Sequence, residues 1–306
     1  MDKNLEQAVE QLSKGVAPET VHVLWLMAET LEKTRELSDS YSLEIVDLTP
    51  ESVERVKKGE STVLQESPVA IDRASLAAVC REILSTLLGK VGKDMDPEVL
   101  KMLEGIDWDA LVDDHAATLA GTRPQEFLNY IYDNANGADP DTLSRFIFPV
   151  LSWALRVFIG NAAKQKAASL DQDSLEDRKY GYKPHCPICG GDPVMARVSE
   201  TNFNGSVRSL VCGTCGASWY WNRIGCPYCE TNATRDLRYV HDKDDLDHRL
   251  YVCDHCGEIL PTVFEHEDDV GVADGGKAVG YDENGSAAHK PVHTFFDEFF
   301  RAGVNG

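Results

Sequence analysis

The chain reads as a multidomain α+β protein, an N-terminal all-α domain followed by two small tandem units that each hold a metal ion. Three observations predict this. Residues 1–175 carry apolar positions at helical spacing behind repeated helix-start signals. Eight of the nine cysteines fall between residues 183 and 264, as four Cys-x-x-Cys pairs. The pairs also repeat: Cys186-Pro187-Ile188-Cys189 superposes on Cys226-Pro227-Tyr228-Cys229 with a shift of 40 residues, and Val211 to Gly216 on Val252 to Gly257 with a shift of 41.

Taken in order, Leu5 to Leu12 is a short amphipathic helix. Pro18-Glu19-Thr20 opens a helix to about Leu37, with Val21, Leu24, Trp25, Ala28 and Leu31 on one face. Leu43 to Leu48 reads as a strand or extended connector, Thr49 to Ser52 as the start of a helix through about Lys58, and Gly59 to Val69 as loop. Asp72 caps the best-defined helix, which runs to Val91 with Leu76, Val79, Cys80, Ile83, Leu84, Leu87 and Leu88 on its apolar stripe. Cys80 is there as a small buried hydrophobe. Asp96-Pro97-Glu98 begins a helix to about Leu103, and Trp108 to Leu119 continues as one segment after a break at Gly105, with His115 structural or solvated.

Arg123 to Glu126 leads into Phe127 to Tyr132, whose aromatics are expected in the core, and Asn134 to Gly137 is a turn. Asp139 to Thr142 opens the longest apolar segment, reaching about Ala168. Most of its circumference is apolar, so it belongs at the centre of a helical bundle. Pro149 is expected to kink or restart it, and Arg145 and Arg156 make it a buried helix rather than a membrane span. The charged stretch Asp171 to Lys179 reads as a hinge.

The cysteine spacing assigns the metal ligands. With 22, 10 and 23 residues separating successive pairs, the first two pairs belong together and so do the last two. Two pairs complete a tetrahedral set of four thiolates. Site 1 is therefore Cys186, Cys189, Cys212 and Cys215, and site 2 is Cys226, Cys229, Cys253 and Cys256. Such a set takes either iron or zinc. Glycine follows the second cysteine in three pairs (Gly190, Gly216, Gly257), where a residue without Cβ can turn left-handed; Glu230 is the exception. Alternating strands flank Asn204-Gly205 in the first unit, and Leu237 to His241 pairs with Arg249 to Val252 in the second. Each unit is thus a metal-stapled hairpin of the rubredoxin-like or zinc-ribbon kind, too small to fold without its ion.

The expected units are residues 1–175, 183–222, 223–264, and an acidic, partly disordered tail at 265–306 that ends near the aromatic cluster Phe295 to Phe300. Trp219, Tyr220, Trp221 and Arg223 lie in the link between the repeats, either packing the two units together or anchoring a partner. His185, His241, His248 and His255 are close in sequence but are not needed as ligands.

Composition bounds the rest. Lys+Arg is 30 against Asp+Glu 51, a formal charge of −21, and residues 183–264 hold eight basic against ten acidic residues. That balance argues against a nucleic-acid-binding ribbon or an anionic-membrane surface. Met1 to Gly15 has no apolar core of a signal peptide, and no run of about 18 apolar residues exists. A cytoplasmic location is expected, where spaced cysteine pairs bind metal rather than form disulfides. The sequence shows no Ser/His/Asp, paired-carboxylate or phosphate-loop constellation, and the adjacent acids Asp113/Asp114 and Asp268/Asp269 read as solvated faces.

A helical domain of this length followed by Cys186-Pro187-Ile188-Cys189-Gly190, Cys212 to Cys215, the link Trp219 to Arg223 to Cys226, and Cys253 to Gly257 resembles the formate dehydrogenase accessory proteins, the FdhE family. The likeness is specific over residues 183–261, architectural over the helices, and lost after Val263. It implies a cytoplasmic maturation factor, a chaperone rather than an enzyme. Its partner would be the catalytic subunit of formate dehydrogenase, and its cofactors two metal ions, iron or zinc, with a redox partner if iron is bound. A rubredoxin-like electron carrier and a nucleic-acid-binding zinc ribbon are the alternatives.

Overall fold

Most helices of the N-terminal half begin where a short polar side chain can take over an orphan backbone N–H. In the computed structural model, which describes residues 3–13, 18–41, 47–135, 146–169, 183–201, 205–241, 243 and 245–265, these are α1 (Lys3–Leu12), α2 (Pro18–Ser40), α3 (Pro50–Lys58), α4 (Val63–Glu66), α5 (Arg73–Val91), α6 (Pro97–Glu104), α7 (Trp108–Leu111), α8 (Asp114–Thr122), α9 (Pro124–Asn134) and α10 (Phe148–Ser169). Thr49, Asp72, Asp96, Asp107 and Asp113 each accept a hydrogen bond from a first-turn N–H of the helix they precede.

Three local expectations need correction. The stretch Gly59 to Val69 is not all loop: Thr62 and Gln65 form a reciprocal capping box that starts α4. Trp108 to Leu119 is two helices, because the Asp113 carboxylate accepts from Ala116 N at 2.7 Å and from the Tyr130 hydroxyl at 2.6 Å and so begins a new helix. The same bonds mean Asp113 is no solvated acid; the Tyr130 hydroxyl above all holds its pKa below the usual range. Of the α9 aromatics, Phe127 is fully buried but Tyr132 is half exposed. Residues 42–46, 136–145 and 170–182, with the expected connector, turn and hinge, fall wholly or partly outside the described residues, as does the tail from 266.

At the centre lies α10, against α2, α5, α8 and α9. Val150, Leu151, Ala154, Leu155, Val157, Phe158 and Ile159 are all essentially inaccessible, as an all-round apolar helix requires. Pro149 sits in its first turn, where a missing N–H costs nothing. The α1 face (Leu5, Val9) closes on Ala28 and Leu31 of α2, with Trp153 of α10 bridging to the main core. No helix among the described residues is long and apolar enough to cross a membrane.

The second half is one sheet. Its strands are β1 (Pro193–Thr201), β2 (Gly205–Cys212), β3 (Ser218–Trp221), β4 (Leu237–Val240), β5 (His248–Cys253) and β6 (Ile259–Glu265), in the order β3-β2-β1-β6-β5-β4. The two expected hairpins are present as β1/β2 and β4/β5. Each gains a third strand after its second cysteine pair, and the halves join where β1 and β6 pair in parallel, Ala196 with Thr262 through Ser199 with Glu265. Across this seam the buried Arg197 meets the Glu265 carboxylate, which also accepts from Ser199 Oγ at 2.6 Å. Residues of this sheet, including Ala196, Leu210, Trp219, Trp221 and Leu260, share one core with the helices.

Candidate metal centres

Each Cys-x-x-Cys turn is built the same way. The N–H of its first cysteine donates to the carbonyl five residues on (Cys186 to Gly191, Cys212 to Ala217, Cys226 to Thr231, Cys253 to Glu258, 2.9–3.0 Å). The N–H four residues on donates back to that cysteine's carbonyl, at 2.8–3.2 Å. The residue that donates back must turn left-handed: Gly190, Gly216 and Gly257 have φ of 78°, 78° and 81°, and Glu230 adopts 57° despite its Cβ. For a residue with a side chain this conformation costs on the order of 1 kcal/mol. Glu230→Gly is therefore expected to raise the stability of the second unit by up to about 1 kcal/mol, measured as a higher unfolding midpoint of the metal-loaded protein.

The turns bring the eight sulfurs together in the two groups expected, Cys186/Cys189/Cys212/Cys215 and Cys226/Cys229/Cys253/Cys256, with all four sulfurs of each group within 4.8 Å of one another. Cys186 and Cys215 are 3.6 Å apart, Cys189 and Cys212 3.4 Å, and Cys226–Cys256 and Cys229–Cys253 both 3.7 Å. A tetrahedral ion with metal–sulfur bonds of about 2.3 Å sets sulfurs about 3.8 Å apart, whereas a disulfide sets them at about 2 Å. The donor set thus fits a zinc or iron ion. Cys212 Sγ also accepts N–H groups of Thr214 and Cys215 at 3.3 and 3.5 Å, which supports a thiolate.

The two groups differ in setting. All four cysteines of the first are buried in the core, while in the second Cys229 is half-buried and Cys256 exposed. In the absence of metal, Cys212 and Cys253 are held below the usual thiol range; burial opposes this, and hydrogen bonds from neighbouring thiols or backbone N–H groups outweigh it. Burial pushes Cys226 up to about 12. Cys80, on α5 and part of neither group, is fully buried in the core, and its thiol is raised by that burial.

Known proteins are similar to this chain. The family model described as FdhE, central domain, matches residues 185–223, which span site 1 and the strand after it. A Protein FdhE homolog of Yersinia pestis (strain Pestoides F) is 25% identical over 189 residues, 61% of this chain and 54% of the relative. Protein FdhE of Salmonella choleraesuis (strain SC-B67) is 30% identical over 92 residues, 29% of each chain. The chain shares its fold with the crystal structure of the FdhE protein from Pseudomonas aeruginosa, at a TM-score of 0.50 and 19% identity over 85% of this chain and 81% of that one. The chain spans about half the length, 54%, of the curated Yersinia FdhE relatives it matches.

Trp219 and Trp221 form β3 rather than an open link, and both are buried, with their ring N–H groups donating to Lys183 O at 2.7 Å and Gly225 O at 3.2 Å. They lock the sheet to the two cysteine turns that follow Lys183 and Gly225, so neither is free to anchor a partner. Tyr220 and Arg223 do reach the surface, beside the exposed Ile224. His185 bonds Asp192 and His248 bonds Asp245, and both sulfur groups are complete without a histidine.

Sequence reading missed the groups that seat the turns. Val63 N and Leu64 N of α4 donate to Pro187 O and Ile188 O of the first turn, both at 2.9 Å. Arg156 of α10 donates from Nη2 to Gly213 O of the second turn at 2.6 Å. At site 2, the fully buried Arg208 of β2 lies over the Tyr251 ring at 4.1 Å and donates to Gly225 O at 3.0 Å. A signal for Arg208 was present: it alternates in phase with the inward-facing Leu210 and Cys212.

Proposed function

We propose that this chain is a cytoplasmic accessory protein that brings formate dehydrogenase to its active form. It docks the enzyme's catalytic subunit and carries a metal ion, iron or zinc, in each of its two four-cysteine groups. It catalyses no reaction of its own. The observation that carries this reading is the FdhE central-domain match over the very residues that build site 1. In support, the functional-looking residues are all cysteines and their backbone partners, a set that organises metal and surface rather than turning over a substrate.

The chain divides for this task into the helical region 1–175, the units 183–222 and 223–264, and the tail 265–306. Docking uses the exposed residues Tyr220, Arg223 and Ile224 on and just after edge strand β3, an aromatic, a guanidinium and an aliphatic side chain. When bound, the ions hold the cysteine turns in shape, and iron would add the capacity to exchange one electron. The exposed Cys256 edge of site 2 favours a second reading, rubredoxin-like electron transfer, in which electrons would enter there.

Deleting the gene in its host and assaying formate dehydrogenase tests the reading. The expected result is a catalytic subunit that is made but inactive, restored by the wild-type gene and captured by the tagged protein. Tyr220→Ala/Arg223→Ala should weaken that capture at least tenfold while leaving the metal content unchanged. Undiminished formate dehydrogenase activity in the deletion strain would contradict it.

A further inference from the structure

Arg208 is the unexpected residue of the sheet. It lies on β2, paired with Val198 of β1 on one side and Trp221 of β3 on the other, and it is only 1% exposed. A guanidinium stays charged in a protein, and a buried charge is costly unless it is paired and hydrogen-bonded. Its Nη1 donates to Gly225 O at 3.0 Å and its Cζ lies 4.1 Å from the centre of the Tyr251 ring, and neither group carries a charge. Its Nε and Nη2 are buried and have no hydrogen-bond partner among the described residues. Arg197, buried in the same sheet, meets the Glu265 carboxylate, whereas no carboxylate among the described residues pairs with Arg208.

The two unpartnered nitrogens form a geometrical unit. In a planar guanidinium Nε–H and the adjacent Nη2–H point the same way, with Nη1 on the other side, so together they are the side-on fork that takes both oxygens of a carboxylate. The acceptors at hand are already used. Gly225 O accepts from Trp221 Nε1 at 3.2 Å and from the Tyr251 hydroxyl at 3.3 Å as well as from Arg208, more donors than a carbonyl has lone pairs. The Tyr251 oxygen in turn accepts from Gly225 N at 3.2 Å. Val198, Trp221 and Tyr251 around the guanidinium are all buried, which favours a small free anion over a side chain reaching in from a partner.

We propose that the Arg208 fork binds a small planar oxyanion of the carboxylate type, formate being the smallest, through two parallel hydrogen bonds from Nε and Nη2. The anion supplies the counter-charge that the chain does not, and a charge-assisted bidentate pair is among the stronger polar contacts a buried site can make. It enters by opening of Asn222 to Ile224, the exposed stretch between β3 and Gly225. Arg208 holds the carbonyl of Gly225, the residue before Cys226, so the bound anion fixes the guanidinium at the root of the first turn of site 2.

The test is a thermal-unfolding titration of the full chain in which sodium formate replaces sodium chloride at constant ionic strength. A ligand of three heavy atoms binds with a Kd of about 1 mM at best, so the titration runs to about 100 mM. The wild type is expected to show a saturable rise in its unfolding midpoint, and sodium nitrate, another small planar oxyanion, should produce the same rise. Arg208→Met should lose the effect. Arg208→Lys, which keeps the charge but not the fork, should weaken binding at least tenfold. The readout is the shift that formate causes within each protein, so a lower starting midpoint in a variant does not enter it. A second measurement needs no variant. In wild-type protein carrying isotope-labelled arginine, a slowly exchanging Nε–H resonance should move with formate along the same saturation curve, while those of exposed arginines stay in place. A midpoint that does not change as formate replaces chloride, a shift that survives in Arg208→Met, or a buried Nε–H resonance that formate leaves unmoved would overturn the proposal. So would a crystal grown in formate that shows only water on Nε and Nη2.

Discussion

Cys212→Ser is expected to abolish metal binding at site 1 and, with it, the stable fold of the sheet. Cys212 lies at the end of β2, is fully inaccessible, faces Cys189 at 3.4 Å and takes two backbone N–H groups on its sulfur. Serine keeps the volume but is a far weaker ligand for zinc or ferric iron, and a three-sulfur site would be left. A structural ion in four thiolates contributes about 10–16 kcal/mol, as much as the whole net stability of a typical domain. The variant should therefore be recovered as aggregate or as a chain whose Trp219 and Trp221 emission is shifted to that of solvated indole. Cys256→Ser, at the exposed corner of site 2, should lose one ion and leave the first unit folded. Equal damage from the two variants would contradict the asymmetry of the sites.

Glu265→Ala should cost about 3–5 kcal/mol, the usual consequence of stranding one member of a buried ion pair. Its carboxylate joins β6 to β1 through Arg197 and Ser199, with side-chain exposure of only 11% for Glu265 and 6% for Arg197. Removing it leaves the guanidinium inside the sheet at the one place where the two repeats meet in parallel. Glu265→Gln keeps an acceptor for Ser199 and Arg197 and should lose less. Denaturant unfolding followed by tryptophan fluorescence measures both. A loss below about 1 kcal/mol in Glu265→Ala would mean that the pair is solvated and that the seam is held by backbone pairing alone.

Much of this architecture was legible because its causes are local. A capping aspartate, a proline in a first turn or a Cys-x-x-Cys-Gly turn acts over a few residues, and the 40-residue repeat needs only comparison of the chain with itself. The misses divide by cause. The Thr62/Gln65 capping box was local and readable, but the short helix behind it lacks enough turns to show a period. The split at Asp113 was hidden because Trp108 to Leu119 keeps its apolar spacing across the break, and the Tyr130 hydroxyl that completes the cap comes from a later helix.

The rest was not encoded locally at all. Parallel pairing of β1 with β6 joins residues more than 60 positions apart, Ala196 with Thr262, and no turn signal announces it. Arg156 read as an interruption that ruled out a membrane span, and its destination at Gly213 lies 57 residues on. Trp219 and Trp221 read as packing between the units, with partner anchoring left as the alternative, since period-two alternation says which residues share a face but not what covers it. The cysteine sets needed no such long-range information, because each turn forms itself and the spacing leaves one economical pairing.

The most direct measurement is metal analysis combined with X-ray absorption on the chain purified anaerobically from its own host. The account predicts two ions per chain, one for each sulfur group. Each should have a shell of four sulfurs only, at about 2.3 Å. A chain that carries no metal, or whose eight paired cysteines are recovered as disulfides, would contradict it.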